Sequence, residues 1–444
     1  MLYVRGAAHR YDQWRDGNSP GWGFEELLPY FKGIEDRPQG SEPWRGHGGP
    51  LSVSDAKVCD PLSRGFMQAC IDSGIEYNPD YNAERFEGVS WLQYTTRRGQ
   101  RWSTARAFLR PAMQRSNLTL KTHALACRVV LEGRKAVGLT YRHEGREVQA
   151  RARREVVLCA GPIVSPKLLE LSGIGNGDIL RQHGIEVVHH LPGVGENLQD
   201  HLQARVTYES RLKVTINDIL NNPLRGVWAG LQYYLGRTGP LAQSVASVHA
   251  LVRSSADLPH PDLKLQIMLY SGKDRYSRDK AAGLDPFSGF NIGAFQLYPH
   301  STGNLHIRSA DPEADPIIHA NYLSDLRDQE VLLRGMRMVR EISANPALSK
   351  LVVREVRPGP ETANDDQWLD YIRDTAQTCW HPISTCRMGR GDRDVVDFEL
   401  KVHGIEGLRV ADSSIMPNMP TSNTNSTSIV IGRKGADLLR AANP

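Results

Sequence analysis

The sequence predicts a mixed chain in which a parallel-sheet α/β domain is interleaved with an antiparallel α+β domain. Three observations point there. The chain has 444 residues, more than one hydrophobic core usually serves. Residues 155–173, EVVLCAGPIVSPKLLELSG, read as an almost wholly apolar strand, a Gly-Pro turn and a helix, the texture of a buried parallel sheet. From about residue 206 to 364 the texture changes to longer alternating segments, 263–269 and 290–298 among them, which fit an antiparallel sheet.

Taken in order, 21–33 (GWGFEELLPYFKG) reads as a short helix closed by glycine, followed by a Pro- and Gly-rich loop to Pro50. Residues 61–73 form a second amphipathic helix, and 95–111 lead from a turn into a helix capped by Ser103. Segments 118–125, 128–131, 136–142 and 146–152 alternate around the turns EGRK and HEGR, as in a small antiparallel sheet. In 155–173, Ser165 can cap the helix, Pro166 fits its first position and Gly173 can close it. A second strand follows at 185–189. The helix at 324–345 is the clearest: Ser324 or Asp325 caps it, Leu332, Met336, Val339 and Ile342 share one face, and Pro346 lies beyond its end. LRVAD, 408–412, is a strand that returns to the parallel domain and carries the last helix with it.

Composition excludes several function classes. Lys+Arg 54 against Asp+Glu 50 leaves a net charge of +4, too small to argue for nucleic acid, and the runs RRGQR and RARR read as solvated turn and strand ends. Six scattered cysteines without a CxxC pair fit reduced thiols in a cytoplasmic protein and imply no metal. The N-terminus lacks a signal-peptide core, and no apolar run is long enough to cross a bilayer. Peripheral contact with the inner membrane stays open. GVGENL, within 191–202, lacks a third glycine and does not lead from a strand into a helix, so it is no phosphate loop. The absence of GxSxG argues against hydrolase chemistry.

Two stretches carry chemistry: 379–389, CWHPISTCRMG, and 421–428, TSNTNSTS. Pro382 pushes His381 toward an extended conformation, placing the imidazole on a loop. An unperturbed pKa of roughly 6.5 makes histidine the commonest general base near neutral pH. One histidine among fifteen is a weak signal by itself. TSNTNSTS adds a choice of N-cap residues ahead of the apolar run 429–431, so a helix starts there with exposed N–H groups, which attract negative charge.

With GPIVSPKLLELSGIG at 161–175, GLRVADSSIMP from Gly407 and the NTN triplet, these motifs stand in an order that resembles the glucose-methanol-choline oxidoreductases, flavoenzymes that oxidise alcohols. The likeness runs from Met1 to the last helix and is nearest to their bacterial choline and alkyl-alcohol dehydrogenases. It implies an FAD-binding, Rossmann-like domain over 1–35, 105–200 and 400–444. A connecting or lid region over 36–104 and a substrate cap over 201–399, which carries the histidine loop, would complete the chain. By the resemblance, His381 takes the hydroxyl proton of a primary alcohol, choline or an aliphatic or aromatic one, while the substrate carbon delivers hydride to the flavin. Asn423 would hydrogen-bond the alcohol oxygen. Trp380, Asp412, Ser413, Thr424 and Asn425 would border the flavin, and Ala126 would make a backbone contact near the adenine. Electrons would pass to a quinone or another acceptor. DSS stands where these dehydrogenases usually have DAS, and NTNSTS where NTNAPT is common.

The dinucleotide fingerprint GxGxxG is absent from the sequence. In relatives it precedes a segment very like MLYVRG, so the resemblance aligns Met1 with an internal methionine and implies that the first βαβ unit is missing. A nicotinamide-dependent dehydrogenase would need its own GxGxxG. A cofactor-poor, non-catalytic remnant and a lyase of the same family are the remaining alternatives.

Overall fold

The computed structural model describes residues 1–17, 19–40, 42–57, 59–272, 283–420 and 422–443. Its largest sheet is antiparallel, with strands in the order Val352–Arg357, Leu202–Ser210, Gly289–Gln296, Leu263–Met268, Ala246–Val252 and Gly88–Trp91. Side chains alternate across a strand, so LKLQIM splits cleanly. Leu263, Leu265 and Ile267 join Val206, Val248, Ala250, Ile292 and Ala294 in one buried cluster, while Lys264 and Gln266 project to the other face.

The apolar face is covered by the helix Leu326–Ala344, whose Leu332, Met336, Val339 and Ile342 are buried in that cluster. Asp325 caps it by accepting from the Arg327 N–H. Gly335 lets helix and sheet approach, because a Cβ there would sit 2.9 Å from Leu263 Cδ1 and 3.0 Å from the Ala294 Cβ. Pro346 does not simply end this run. It starts a further short helix, Pro346–Ser349.

A second core gathers Trp14, Leu27 and Phe31, then Leu158, Leu168 and Leu169, and finally Val410 and Ile431. Residues 383–396 contribute Ile383, Cys386, Met388, Val395 and Val396 to it. Here Val156–Leu158 pairs in parallel with Leu408–Val410, as the apolar run and the returning LRVAD predict. Beside it lies the antiparallel sheet Ala124–Glu132, Lys135–His143 and Arg146–Arg151.

Some expected boundaries move. Residues 118–123 are not strand. One strand runs unbroken over Ala124–Glu132, bulged between Ala126 and Arg128. The 161–171 helix starts at Gly161, whose φ of +81° suits glycine, so Ser165 and Pro166 lie inside it. Instead of a strand at 185–189, only His189–His190 pairs, in parallel, with Ile174–Gly175. The turn after Ser103 is π-wound over Ala105–Leu109 and has no side-chain cap. The first glycine-closed helix continues through Gly33 and spans Phe24–Ile34. Among the described residues no helix is long and apolar enough to cross a membrane.

Candidate active site

His381 stands on the loop after Gln377–Thr378, and Asn423 stands two residues before the start of the final helix, Asn425–Ala442. The fold brings them together: Asn423 Nδ2 lies 2.9 Å from His381 Nε2. Two residues that sequence reasoning missed complete the arrangement. His201 Nδ1 lies 2.9 Å from His381 Nδ1, and His201 Nε2 lies 3.0 Å from the Leu297 carbonyl oxygen. From the sheet, Lys264 Nζ donates to Asn423 Oδ1 at 3.1 Å.

This chain has a fixed polarity that can be read from either end. The Leu297 carbonyl can only accept, so His201 carries its proton on Nε2 and offers a lone pair at Nδ1. His381 must therefore donate from Nδ1, which leaves Nε2 as an acceptor. From the other end, the Lys264 amine donates to Asn423 Oδ1, so the amide group facing His381 is the Nδ2 donor. Both derivations put a basic lone pair on His381 Nε2. Both imidazoles are also held neutral. Burial lowers the His201 pKa to about 4, and burial, reinforced by His201 and Lys264, holds that of His381 well below its ordinary value.

The loop is pinned by Asp200. Its Oδ1 accepts from the backbone N–H groups of His201 and His381, each at 2.8 Å, and its Oδ2 accepts from the Tyr322 hydroxyl at 2.5 Å and from the Thr378 hydroxyl. Burial raises its pKa against the pull of these donors. A signal for this pair was present in LQDHL, where an acid and a histidine adjoin on a glycine-rich loop. Trp380 is 58% exposed with φ +55° beside His381.

A cleft of about 1240 Å³ opens at the start of the final helix, lined by Ile34, Phe108, Cys159, Asp412, Asn425 and Ile429 among others. Asp412 reinforces its floor, accepting from Gly161 N at 2.9 Å, Ser165 Oγ at 2.5 Å and Ser414 N at 2.8 Å. Ser413 Oγ donates to the Pro382 carbonyl at 3.3 Å, tying this floor to the histidine loop. Thr424 is the N-cap residue of the final helix but supplies no side-chain cap, so the helix presents its N–H groups and positive dipole end next to Asn425. Apolar walls with an uncapped helix N-terminus fit a flat ring system that carries negative charge on one edge. Ala126 packs against the second core and is not among the cleft-lining residues. Thr421 lies outside the described residues.

The chain was then compared with known proteins. Family models described as GMC oxidoreductase match residues 1–203 and 299–432. The mitochondrial choline dehydrogenase of Mus musculus is 37% identical over 442 residues, covering 99% of this chain and 73% of that protein. The alcohol dehydrogenase (acceptor) of Pseudomonas putida is 37% identical over 442 residues, covering 99% and 79%. Pyridoxine 4-oxidase from Mesorbium loti superposes with a TM-score of 0.88 at 28% identity, covering 99% of this chain and 82% of that one. Two family models in order and relatives aligned along nearly the whole chain agree with the motifs, and the chain belongs to the GMC oxidoreductase family.

Proposed function

We propose that the chain oxidises a primary alcohol to its aldehyde with FAD, using His381 Nε2 as the base. The observation that carries this reading is the polarity of the chain from Leu297 through His201 and His381 to Asn423. An alcohol oxygen placed at this pair donates its O–H to Nε2 and accepts the Nδ2–H of Asn423. As hydrogen leaves the substrate carbon with its electron pair, the hydroxyl proton passes to Nε2 and the C=O bond forms. FAD, when bound, supplies the hydride acceptor. The Nδ1–H of His381 stays bonded to His201 throughout, so the ring keeps its orientation as it becomes imidazolium. Asn425 and the helix end behind Thr424, with Asp412, Ser413 and Trp380, would hold the flavin, and Ala126 would lie toward the adenine.

We read the same domain division from this assignment: FAD-binding residues 1–35, 105–200 and 400–444, a connecting region at 36–104, and a substrate domain at 201–399. Electrons would pass to a quinone or another acceptor, and peripheral contact with the inner membrane from the cytoplasmic side is supported by the helix Pro223–Gly236. Its Leu224, Val227, Trp228, Leu231, Tyr234 and Leu235 are all exposed, at spacings that share one face. Lys213 and Arg225 are exposed close by. Such a helix suits the headgroup boundary of an anionic lipid surface.

The test is anaerobic mixing of the FAD-loaded protein with primary alcohols while flavin absorbance is followed. Bleaching by an alcohol is expected. An FAD-loaded protein that no primary alcohol bleaches would refute the reading.

A further inference from the structure

We propose that Lys264 sets the charge of the substrate, so that the site favours alcohols bearing a carboxylate, accepts neutral ones and disfavours quaternary ammonium alcohols. This rests on the alcohol-oxidation reading and narrows it. Lys264 occupies an inner strand of the sheet, in register with Leu251 on one side and Phe295 on the other, and is 0% exposed. Among the described residues no carboxylate forms an ion pair with it, and its ammonium donates to Asn423 Oδ1. It therefore carries its charge directly behind one of the two groups that would hold the alcohol oxygen.

Two features make this charge selective. The carboxylate beside the base, Asp200, is already committed to four donors, which leaves it poorly placed to balance a substrate cation. Two of the aromatic faces that could otherwise receive such a cation already carry one. The Lys264 ammonium lies 5.3 Å from the Phe295 ring centroid, and the Arg10 guanidinium lies 4.4 Å from that of Tyr298 in the same apolar cluster. His249, on the neighbouring strand, is 0% exposed, and among the described residues neither of its ring nitrogens has a hydrogen-bond partner. A substrate carboxylate placed beside these side chains would meet an ammonium and a potential imidazole donor. A trimethylammonium group would meet a like charge. Burial brings the Lys264 pKa down to about 7, so the amine is charged for a substantial fraction of the time at neutral pH.

Three alcohols of similar reach test the inference on the FAD-loaded protein: choline, its uncharged analogue with carbon in place of the quaternary nitrogen, and γ-hydroxybutyrate. In the parent, kcat/KM for the uncharged analogue should exceed that for choline on the order of 10²-fold, the worth of a like charge inside a site of low effective dielectric, with the hydroxy acid at least equal to the analogue. Lys264→Gln, which keeps a donor for Asn423 Oδ1, should bring the three within a few-fold, chiefly by improving choline. Choline matching its uncharged analogue in the parent, or a ratio unchanged in Lys264→Gln, would overturn the proposal. If neither these three nor any other primary alcohol bleaches the flavin, alcohol oxidation itself fails, and thermal shifts then decide the charge question. Butyrate should stabilise the parent more than tetramethylammonium does, and Lys264→Gln should abolish that difference. Equal shifts in the parent would sink it.

Discussion

On the loop side of the site, Asp200 accepts four hydrogen bonds and His201 uses both ring nitrogens. On the sheet side, among the described residues, both nitrogens of His249 and Asn291 Oδ1 have no hydrogen-bond partner and Lys264 has no carboxylate partner. A buried polar group without a partner costs roughly 1–3 kcal/mol, so the sheet face is costly to keep as it is. The contrast separates two tasks. The loop fixes where the His381 imidazole points, and the sheet holds polar groups that are left to pair with something other than their described neighbours.

The largest expected effect breaks the loop at its centre. His381→Ala should slow reduction of the flavin by alcohol on the order of 10²-fold to 10⁴-fold, the usual worth of a positioned general base, read by anaerobic stopped-flow absorbance. A parent-like rate would remove His381 from the role.

Asp200→Ala attacks the same loop through its backbone. It strands two N–H groups and two hydroxyls, and stability should fall by about 3 kcal/mol or more, measured by denaturant unfolding. Unchanged stability would mean that the four bonds do not hold the loop.

Acid should act on both sides at once. The folded protein keeps His201 neutral down to a pKa of about 4, and holds His249 and His381 well below their ordinary value. The unfolded chain takes up protons at about pH 6.5. Because the unfolded state binds more protons in this window, stability is complete above about pH 6.5 and declines as pH falls toward 4. His201 alone would contribute roughly 3 kcal/mol of that loss. Melting temperature against pH checks it, and His201→Gln should flatten the slope. A Tm independent of pH between 7 and about 4.5 would contradict buried, neutral imidazoles.

A smaller effect is expected where loop and sheet meet. Asn423→Ala removes one hydrogen bond and not the proton acceptor, so flavin reduction should fall only about 10-fold. A larger loss than that of His381→Ala would reverse the two roles.

The sequence revealed the parts of this site that are local and hid those made by the fold. Pro382 and the cap-rich NTN run mark His381 and Asn423 without reference to anything distant. His201 lies 180 residues from His381, and its partnership depends on the Leu202–Ser210 strand carrying it there. Lys264 was legible in principle, since period-2 alternation puts it on the face away from Leu263, Leu265 and Ile267, yet a single charge in an apolar strand does not say what it faces. The same division governs the fold. The stripe of Leu326–Ala344 is local and fixed that helix. At 118–125 the alternation suggested a strand, but His123 adopts φ +53° and pairing with Lys135–His143 sets the true start at Ala124. Ser165 looked like a cap because the carboxylate that accepts its hydroxyl hydrogen bond, Asp412, is 247 residues away.

The smallest expected effect is the sharpest test of the contrast. His249→Leu deletes an imidazole whose nitrogens have no partner among the described residues and whose ring packs edge-on against Tyr81, centroids 4.4 Å apart. Removing an unbonded polar group in favour of an apolar one of similar size is nearly neutral or stabilising, while the lost ring contact costs on the order of 1 kcal/mol. Unfolding free energy at pH 7.5 should therefore stay within about 1 kcal/mol of the parent, and the decline toward acid should become shallower because one buried neutral imidazole is gone. If the sheet side is built for the substrate, KM for a carboxylate-bearing alcohol should rise in the same variant while kcat holds. A stability loss comparable to that of Asp200→Ala would show that His249 has a structural partner after all, and that the two sides of the site do not differ as described.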